Sequence, residues 1–258
     1  MTSCQYAEPY AGGCGLALSL LFNNIVDEIY INDIDRSIAS LWLCIMEHTE
    51  ELSNRIRLAK LTIEEWEQQK SIQNHKDIAD PLDLAFSTLY LNRTNRSGII
   101  KAGVIGGYNQ EGKYKMDCRF QKDSLINKIH QIASKKSRIH IYNLDGIDFI
   151  NKLEELGLAK PFLMADPPYY NKGKTLYTNF YMHKNHVDIA KKLTNTKIPW
   201  ILTYDNTPEI IDLYNNFKKY TFDIYYSAAK KRIGTELLIT SNHFRLLEHK
   251  KLSDHKIS

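Results

Sequence analysis

Short apolar runs alternate with amphipathic stretches in two blocks of the chain. The first block reads as a strand at Cys4–Glu8, a Gly-rich turn and a helix through Phe22. A strand at Glu28–Asp33 and a helix from about Ser37 to His48 follow. The second block offers strands at Arg138–Asn143, Pro161–Ala165 and Trp200–Tyr204, with helices at Ile147–Leu156, His183–Leu193 and near Pro208–Phe217. Tyr220–Tyr226 and Glu236–Ser241, parted by polar Lys230–Thr235, have the period-two pattern of an antiparallel hairpin. Strand–helix alternation of this kind predicts an α/β fold: a doubly wound, mostly parallel, Rossmann-like sheet of about seven strands.

The stretch between the blocks differs. Residues 50–136 begin charged and helical, with Leu52, Ile56, Leu61, Ile63 and Trp66 as a buried stripe. Tyr90–Gly98 and Gly106–Lys113 are rich in Gly, Asn and Arg, which signals loops and a hairpin. The expected organisation is a catalytic domain from 1–49 and 137–258, carrying an inserted, mainly helical subdomain at 50–136.

Composition narrows the class only slightly. With 43% hydrophobic and 25% charged residues in 258, the chain is globular and large enough to bury a full core. A net charge of +4 permits a polyanionic partner without requiring one. The four cysteines form no CxxC pair, and the nine histidines show no metal-ligand spacing, so metal-free chemistry is expected. His183 and His186 read as surface or capping residues. There is no signal-like start and no apolar run of bilayer-spanning length, so a soluble cytoplasmic protein is expected, with no membrane contact.

Two motifs carry chemistry. Glu8-Pro9-Tyr10-Ala11-Gly12-Gly13-Cys14-Gly15 lies between the first strand and helix, where glycines let a ligand approach the backbone. About 20 residues after Gly13, Asp33 ends the second strand, placed for the ribose hydroxyls of a nucleoside. The spacing departs from GxGxxG, which disfavours a pyrophosphate-binding dehydrogenase; an ordinary turn followed by an Asp35 helix cap is the plainer alternative. The second motif, Asp166-Pro167-Pro168-Tyr169, follows an apolar strand, at the edge where open α/β sheets bind ligands. Its residue types suit an exocyclic amine, whose lone pair is delocalised into the ring. A carboxylate (Asp166) and a backbone carbonyl (Pro167) aimed at the two amine hydrogens free that lone pair, and the two prolines stiffen the turn. Tyr169 offers a face on which an extruded base can stack.

Together these motifs resemble the Dam-type (class alpha, DPPY-motif) adenine-specific DNA methyltransferases over nearly the whole chain, down to Arg232-Ile233-Gly234-Thr235-Glu236-Leu237-Leu238. The resemblance implies S-adenosylmethionine as cofactor and methyl transfer to the amino group of a flipped adenine in double-stranded DNA. Asp166, Pro167, Pro168 and Tyr169 would form the transfer site. Glu8, Pro9, Tyr10, Gly12, Gly13 and Gly15 would line the cofactor pocket with Asp33, Ile34, Asp145 and Asp166. The inserted segment resembles the family's target-recognition region. Its DNA-contact candidates are Asn92, Arg93, Arg96, Lys101, Lys113, Lys115 and Arg119, whose plainer reading is a solvated loop face. Lys172 and Lys174, among Tyr170, Tyr177 and Tyr181, belong to a loop that either closes over the extruded base or is an ordinary surface loop. The family's aromatic–Gly-Gly-Lys element has no counterpart in the seven residues before Glu8. Expected partners are duplex DNA and a cognate restriction nuclease, in a bacterial or phage setting, for a monomer or weak dimer. The alternatives are an RNA adenine methyltransferase and a non-catalytic DNA-binding subunit.

Overall fold

The computed structural model describes residues 4–171, 181–226 and 232–243. Among them, β1 (Gln5–Glu8), β2 (Glu28–Asn32), β3 (Ile139–Tyr142), β4 (Pro161–Ala165), β5 (Trp200–Asp205), β6 (Lys218–Tyr226) and β7 (Arg232–Thr240) form one seven-stranded sheet, in the order β3-β2-β1-β4-β5-β7-β6. β1 pairs in parallel with β2 and with β4, β4 pairs in parallel with β5, and β7 runs antiparallel to both β5 and β6. The fold is therefore α/β with a mostly parallel sheet, as the alternation implies. The strand order reverses at β1 and β4, and it is at such a switch point that the carboxyl ends of parallel strands open a crevice for ligands.

The connections contain helices α1 (Gly15–Phe22), α2 (Arg36–Glu47), α3 (Thr49–Leu58), α4 (Ile63–Asn74), α5 (Pro81–Thr94), α6 (Lys122–Ala133), α7 (Gly146–Leu156), α8 (His183–Asn195) and α9 (Pro208–Leu213). Aspartates start several of them. Asp35 accepts from the Ser37 amide at 2.9 Å, Asp80 from Leu82 at 2.9 Å, and Asp145 from Ile147 at 2.8 Å. Each satisfies a backbone N–H that a helix leaves orphaned at its first turn.

By contacts the chain divides into two compact units, 1–33 with 144–258 and 34–143. In the first, Ile29, Ile31, Leu163, Ala165, Leu202, Leu237 and Ile239 of the sheet are buried, as are Leu21, Phe149, Ile150, Leu153, Ile189 and Leu193 of the helices. The second holds α2 and β3 besides the segment 50–136, and is built round α5, which packs against α2 and α4. Every residue of α5 from Leu84 to Leu91 is buried, including Ser87 and Thr88.

Several local expectations give way here. Tyr90–Thr94, expected as loop, is the last turn of α5: the apolar run from Leu82 carries the helix through it, and the Thr94 hydroxyl bonds back to the Tyr90 carbonyl at 2.9 Å. Instead of the expected hairpin at Gly106–Lys113, the described residues form turns tied by one side chain. Gln110 donates to the Ile105 carbonyl at 2.8 Å and accepts from the Met116 amide at 3.0 Å. Arg232–Thr235, expected to be a linker, is the start of β7, because Asp223 to Tyr226 supply partners opposite it. α9 stops at Leu213, short of Phe217.

Candidate active site

The Gly-rich turn leaves β1 at Glu8 and is held from below by β2. Asn32, 1% exposed, donates to the Pro9 carbonyl at 2.9 Å and the Leu144 carbonyl at 3.0 Å, and accepts from the Leu144 amide at 2.9 Å. One amide side chain thus fastens two loops that are far apart in sequence. The Gly12 amide donates to Asp33 Oδ2 at 3.0 Å, which joins the glycine turn to the acidic strand end. Gly12 has φ +47°, and a side chain there or at Gly13 or Gly15 would meet nothing within 4 Å, so that face of the backbone is open. Gly146 is the opposite case. A Cβ there would stand 2.5 Å from Tyr10 Oη, so the missing side chain is what lets Tyr10 pack beside Asp145.

Glu8 points into the same edge. It accepts from Tyr6 Oη at 2.9 Å and from the Ala17 amide of α1 at 3.2 Å. Burial pushes its carboxyl up to about 7; the two donors oppose this, and the nearby charge of Asp166 adds to it. The glycine turn and the Asp-Pro-Pro-Tyr turn thus share one electrostatic neighbourhood, at the ends of adjacent parallel strands.

Asp166 follows β4 directly. Its surface is open to water, yet enough protein crowds it that desolvation lifts its carboxyl above the ordinary range. Glu236 adds to that lift, while the Thr203 and Tyr169 hydroxyls work against it. Thr203 Oγ1 donates to Asp166 Oδ1 at 2.6 Å. Pro167 and Pro168 are buried, and Tyr169 is half-buried with its hydroxyl donating to Glu236 Oε2 at 2.7 Å. The next two amides, of Tyr170 and Asn171, donate to Asp205 at 2.8 and 2.9 Å.

Rings complete the arrangement. Tyr10 meets Tyr181 edge to face at 6.1 Å between centroids, with their hydroxyls 3.0 Å apart. Tyr181 and Tyr170 both contact His186, whose Nδ1 lies 2.8 Å from the Tyr204 hydroxyl. His186, expected at the surface, is 1% exposed because the strand-end tyrosines enclose it, and burial lowers its pKa despite the nearby Asp205. Asn32, Thr203 and Asp205 gave no sequence signal as site residues, since their partners lie far along the chain.

A recess of about 940 Å³, lined by Cys4, Leu153, Lys160, Phe162 and Pro199 among others, opens at the other edge of the sheet, where β1, β4 and β5 begin. It contains none of these groups.

The remaining candidates lie elsewhere. Ile34, first residue of the second unit, is 46% exposed. Also in that unit, Arg119 donates to the Asn92 and Asn95 carbonyls at 2.9 and 2.6 Å, at the end of α5. Arg93 is half-buried, and desolvation together with the charge of Arg119 lowers its pKa. Arg96, Lys101, Lys113 and Lys115 are exposed; Lys113 lies over the Tyr114 ring and Lys115 donates to the Gln110 carbonyl. Lys172, Lys174 and Tyr177 fall outside the described residues.

Comparison with known proteins adds the deciding observation. The model of the D12 class N6 adenine-specific DNA methyltransferase family matches residues 2–233. The chain belongs to this family. A 2-isopropylmalate synthase of Buchnera aphidicola subsp. Macrosiphoniella ludovicianae is 34% identical over 86 residues, which are 33% of this chain and 16% of that protein. An rRNA methyltransferase from Streptomyces viridochromogenes aligns with a TM-score of 0.36 at 10% identity, over 92% of this chain and 76% of that one. Neither partial likeness bears on the chemistry. In this D12-class chain, the motif residues Glu8, Gly12, Asp33 and Asp166 all belong to the first compact unit. No helix among the described residues is long and apolar enough to cross a membrane.

Proposed function

We propose that this chain transfers a methyl group from S-adenosylmethionine to the exocyclic amine of adenine in duplex DNA. The observation that carries the reading is the placement of Asp166 and of Glu8, which opens the glycine-rich motif, at the ends of the adjacent parallel strands β4 and β1, where the strand order reverses. The residues fit the cofactor. Open backbone at Gly12, Gly13 and Gly15 leaves room for a ligand, and Asp33 is tied to that turn. Asp33 would hold the ribose. Glu8, Pro9, Tyr10 and Asp145 would line the pocket, with Ile34 beside Asp33 in sequence. When bound, the cofactor would supply a methyl carbon made electrophilic by its sulfonium, the sulfur keeping the carbon–sulfur bonding pair as a neutral thioether.

The chain's own work is on the amine. Asp166 and the Pro167 carbonyl accept the two amine hydrogens, which concentrates the lone pair on nitrogen. Thr203 fixes the Asp166 carboxylate so that it does so without reorganising. As nitrogen gains carbon it releases one proton, and Asp166 is the acceptor in place. Tyr169 stacks on the base once it leaves the helix. Exposed Arg96, Lys101, Lys113 and Lys115, with Asn92, Arg93 and Arg119 near the end of α5, are the DNA-contact candidates of the second unit, and Lys172 and Lys174 those of the first. The biological role we propose for such chemistry is restriction–modification, phage defence or methylation by an orphan enzyme.

The test uses purified protein and S-adenosylmethionine labelled in its methyl group, offered phage DNA and structured RNA in parallel. Label recovered as N6-methyladenine in DNA is the expected result. Label in RNA alone, or in neither, overturns the reading.

A further inference from the structure

We infer that Asp205 and Glu236 are positioning residues, a cross-strand carboxylate pair that clamps the Asp166–Tyr169 turn from β5 and β7. The inference rests on the methyl-transfer reading and assigns its site two further residues. The two face each other in the β5–β7 register and are 4% and 2% exposed. Asp205 takes the amides of Tyr170 and Asn171, so it fixes the backbone just past the turn. Glu236 takes the Tyr169 hydroxyl, so it fixes the ring on which the base would stack. Thr203, two residues before Asp205 on the same strand, holds the Asp166 carboxylate. The Asp166 carboxylate, the Tyr169 hydroxyl and the two amides after the turn are therefore all tied to this strand pair.

Placing two carboxylates opposite each other in a core is unfavourable unless donors satisfy them. Glu236 shares its face of β7 with Leu238 and Thr240, and Asp205 shares its face of β5 with Thr203. Thr203 and Thr240 are buried as well, so this side of the strand pair is partly polar. The acidic pair stands where the turn needs acceptors. Glu236 also contributes to the local field at Asp166, which faces Glu8 from β1, Tyr204 from β5 and Glu236 from β7, with Tyr169 of the turn itself.

Steady-state kinetics of Glu236→Gln, Glu236→Leu and Asp205→Ala test this, on duplex DNA the wild-type chain methylates, with calorimetric titration of S-adenosylmethionine alongside. Glu236→Leu and Asp205→Ala are expected to lower kcat about 100-fold, the scale of a misplaced reactive group, while cofactor affinity stays within about twofold. Glu236→Gln keeps an acceptor for Tyr169 but removes a charge, so kcat recovers and the acid limb of its pH profile moves to lower pH. Wild-type kcat in the first two variants overturns the inference. So does a parallel loss of cofactor binding, or an unmoved acid limb in Glu236→Gln. If the wild-type chain methylates no DNA, the methyl-transfer reading is what fails, and the clamp is then read by hydrogen exchange. Asp205→Ala should speed exchange at the Tyr170 and Asn171 amides at least about tenfold while β5 is unchanged; unchanged exchange at those amides overturns the clamp.

Discussion

Glu8 holds its proton up to about 7 because burial outweighs the Tyr6 and Ala17 donors that favour its charged form. The folded chain therefore binds a proton that the unfolded chain has released between the ordinary glutamate range and about 7, so stability falls as pH rises through that window. Glu8→Gln should remove this slope and raise the stability above neutral pH by about 3 kcal/mol, read as Tm against pH. An unchanged slope would place the titration on another group. At Asp166 the raised carboxyl predicts that kcat falls with acidification at a pH above the ordinary aspartate range. Asp166→Ala should lower kcat by about a thousandfold or more with Tm close to wild type, measured by methyl incorporation and thermal melting. Glu8 and Asp166 stand out in the sequence because each sits inside a contiguous motif. Thr203 and Asp205 act through partners 37 and 35 positions away, and Glu236, though it lies within the Arg232–Leu238 motif, through one 67 positions away; no local pattern encodes such distances.

The parallel strands follow from strand–helix alternation, although β2 and β5 are buried on both faces. The Asp35 cap follows from helix-start chemistry, whereas the caps at Asp80 and Asp145 emerge only in the structure. α5 is not legible in this way, because Asn92, Arg93 and Thr94 look like loop until the buried body of the helix is known. The turns after it depend on Asn95, fully buried, which accepts from Trp66 Nε1 at 2.6 Å and donates to the Ile99 and Ile100 carbonyls at 3.1 and 2.8 Å. Asn95→Ala orphans the indole N–H and the Ile100 carbonyl, while the Ile99 carbonyl keeps the Ala102 amide, so it should cost about 2–4 kcal/mol, seen in urea unfolding. A loss under about 0.5 kcal/mol would mean that water replaces the amide. Beside the glycine turn, Gly146→Ala should displace Tyr10 and weaken S-adenosylmethionine binding about tenfold or more in calorimetry. Unchanged affinity would remove Tyr10 from the pocket.

Across the whole molecule, the sheet order brings motifs separated by more than a hundred residues to adjacent strand ends. Glu8 closes β1 and Asp166 follows β4. That juxtaposition is what makes an acidic turn and a glycine turn one candidate site. If the second unit supplies DNA contacts, replacing Arg96, Lys113 and Lys115 by Ala should weaken DNA binding and flatten its salt dependence by up to about three charges. Single-molecule sequencing of DNA from cells expressing the chain tests the central claim most directly, with the Asp166→Ala variant as control. The account predicts N6-methyladenine in one recurring sequence context with the natural chain and its disappearance with the variant. Unmodified adenine in both, or equal modification in both, would contradict it.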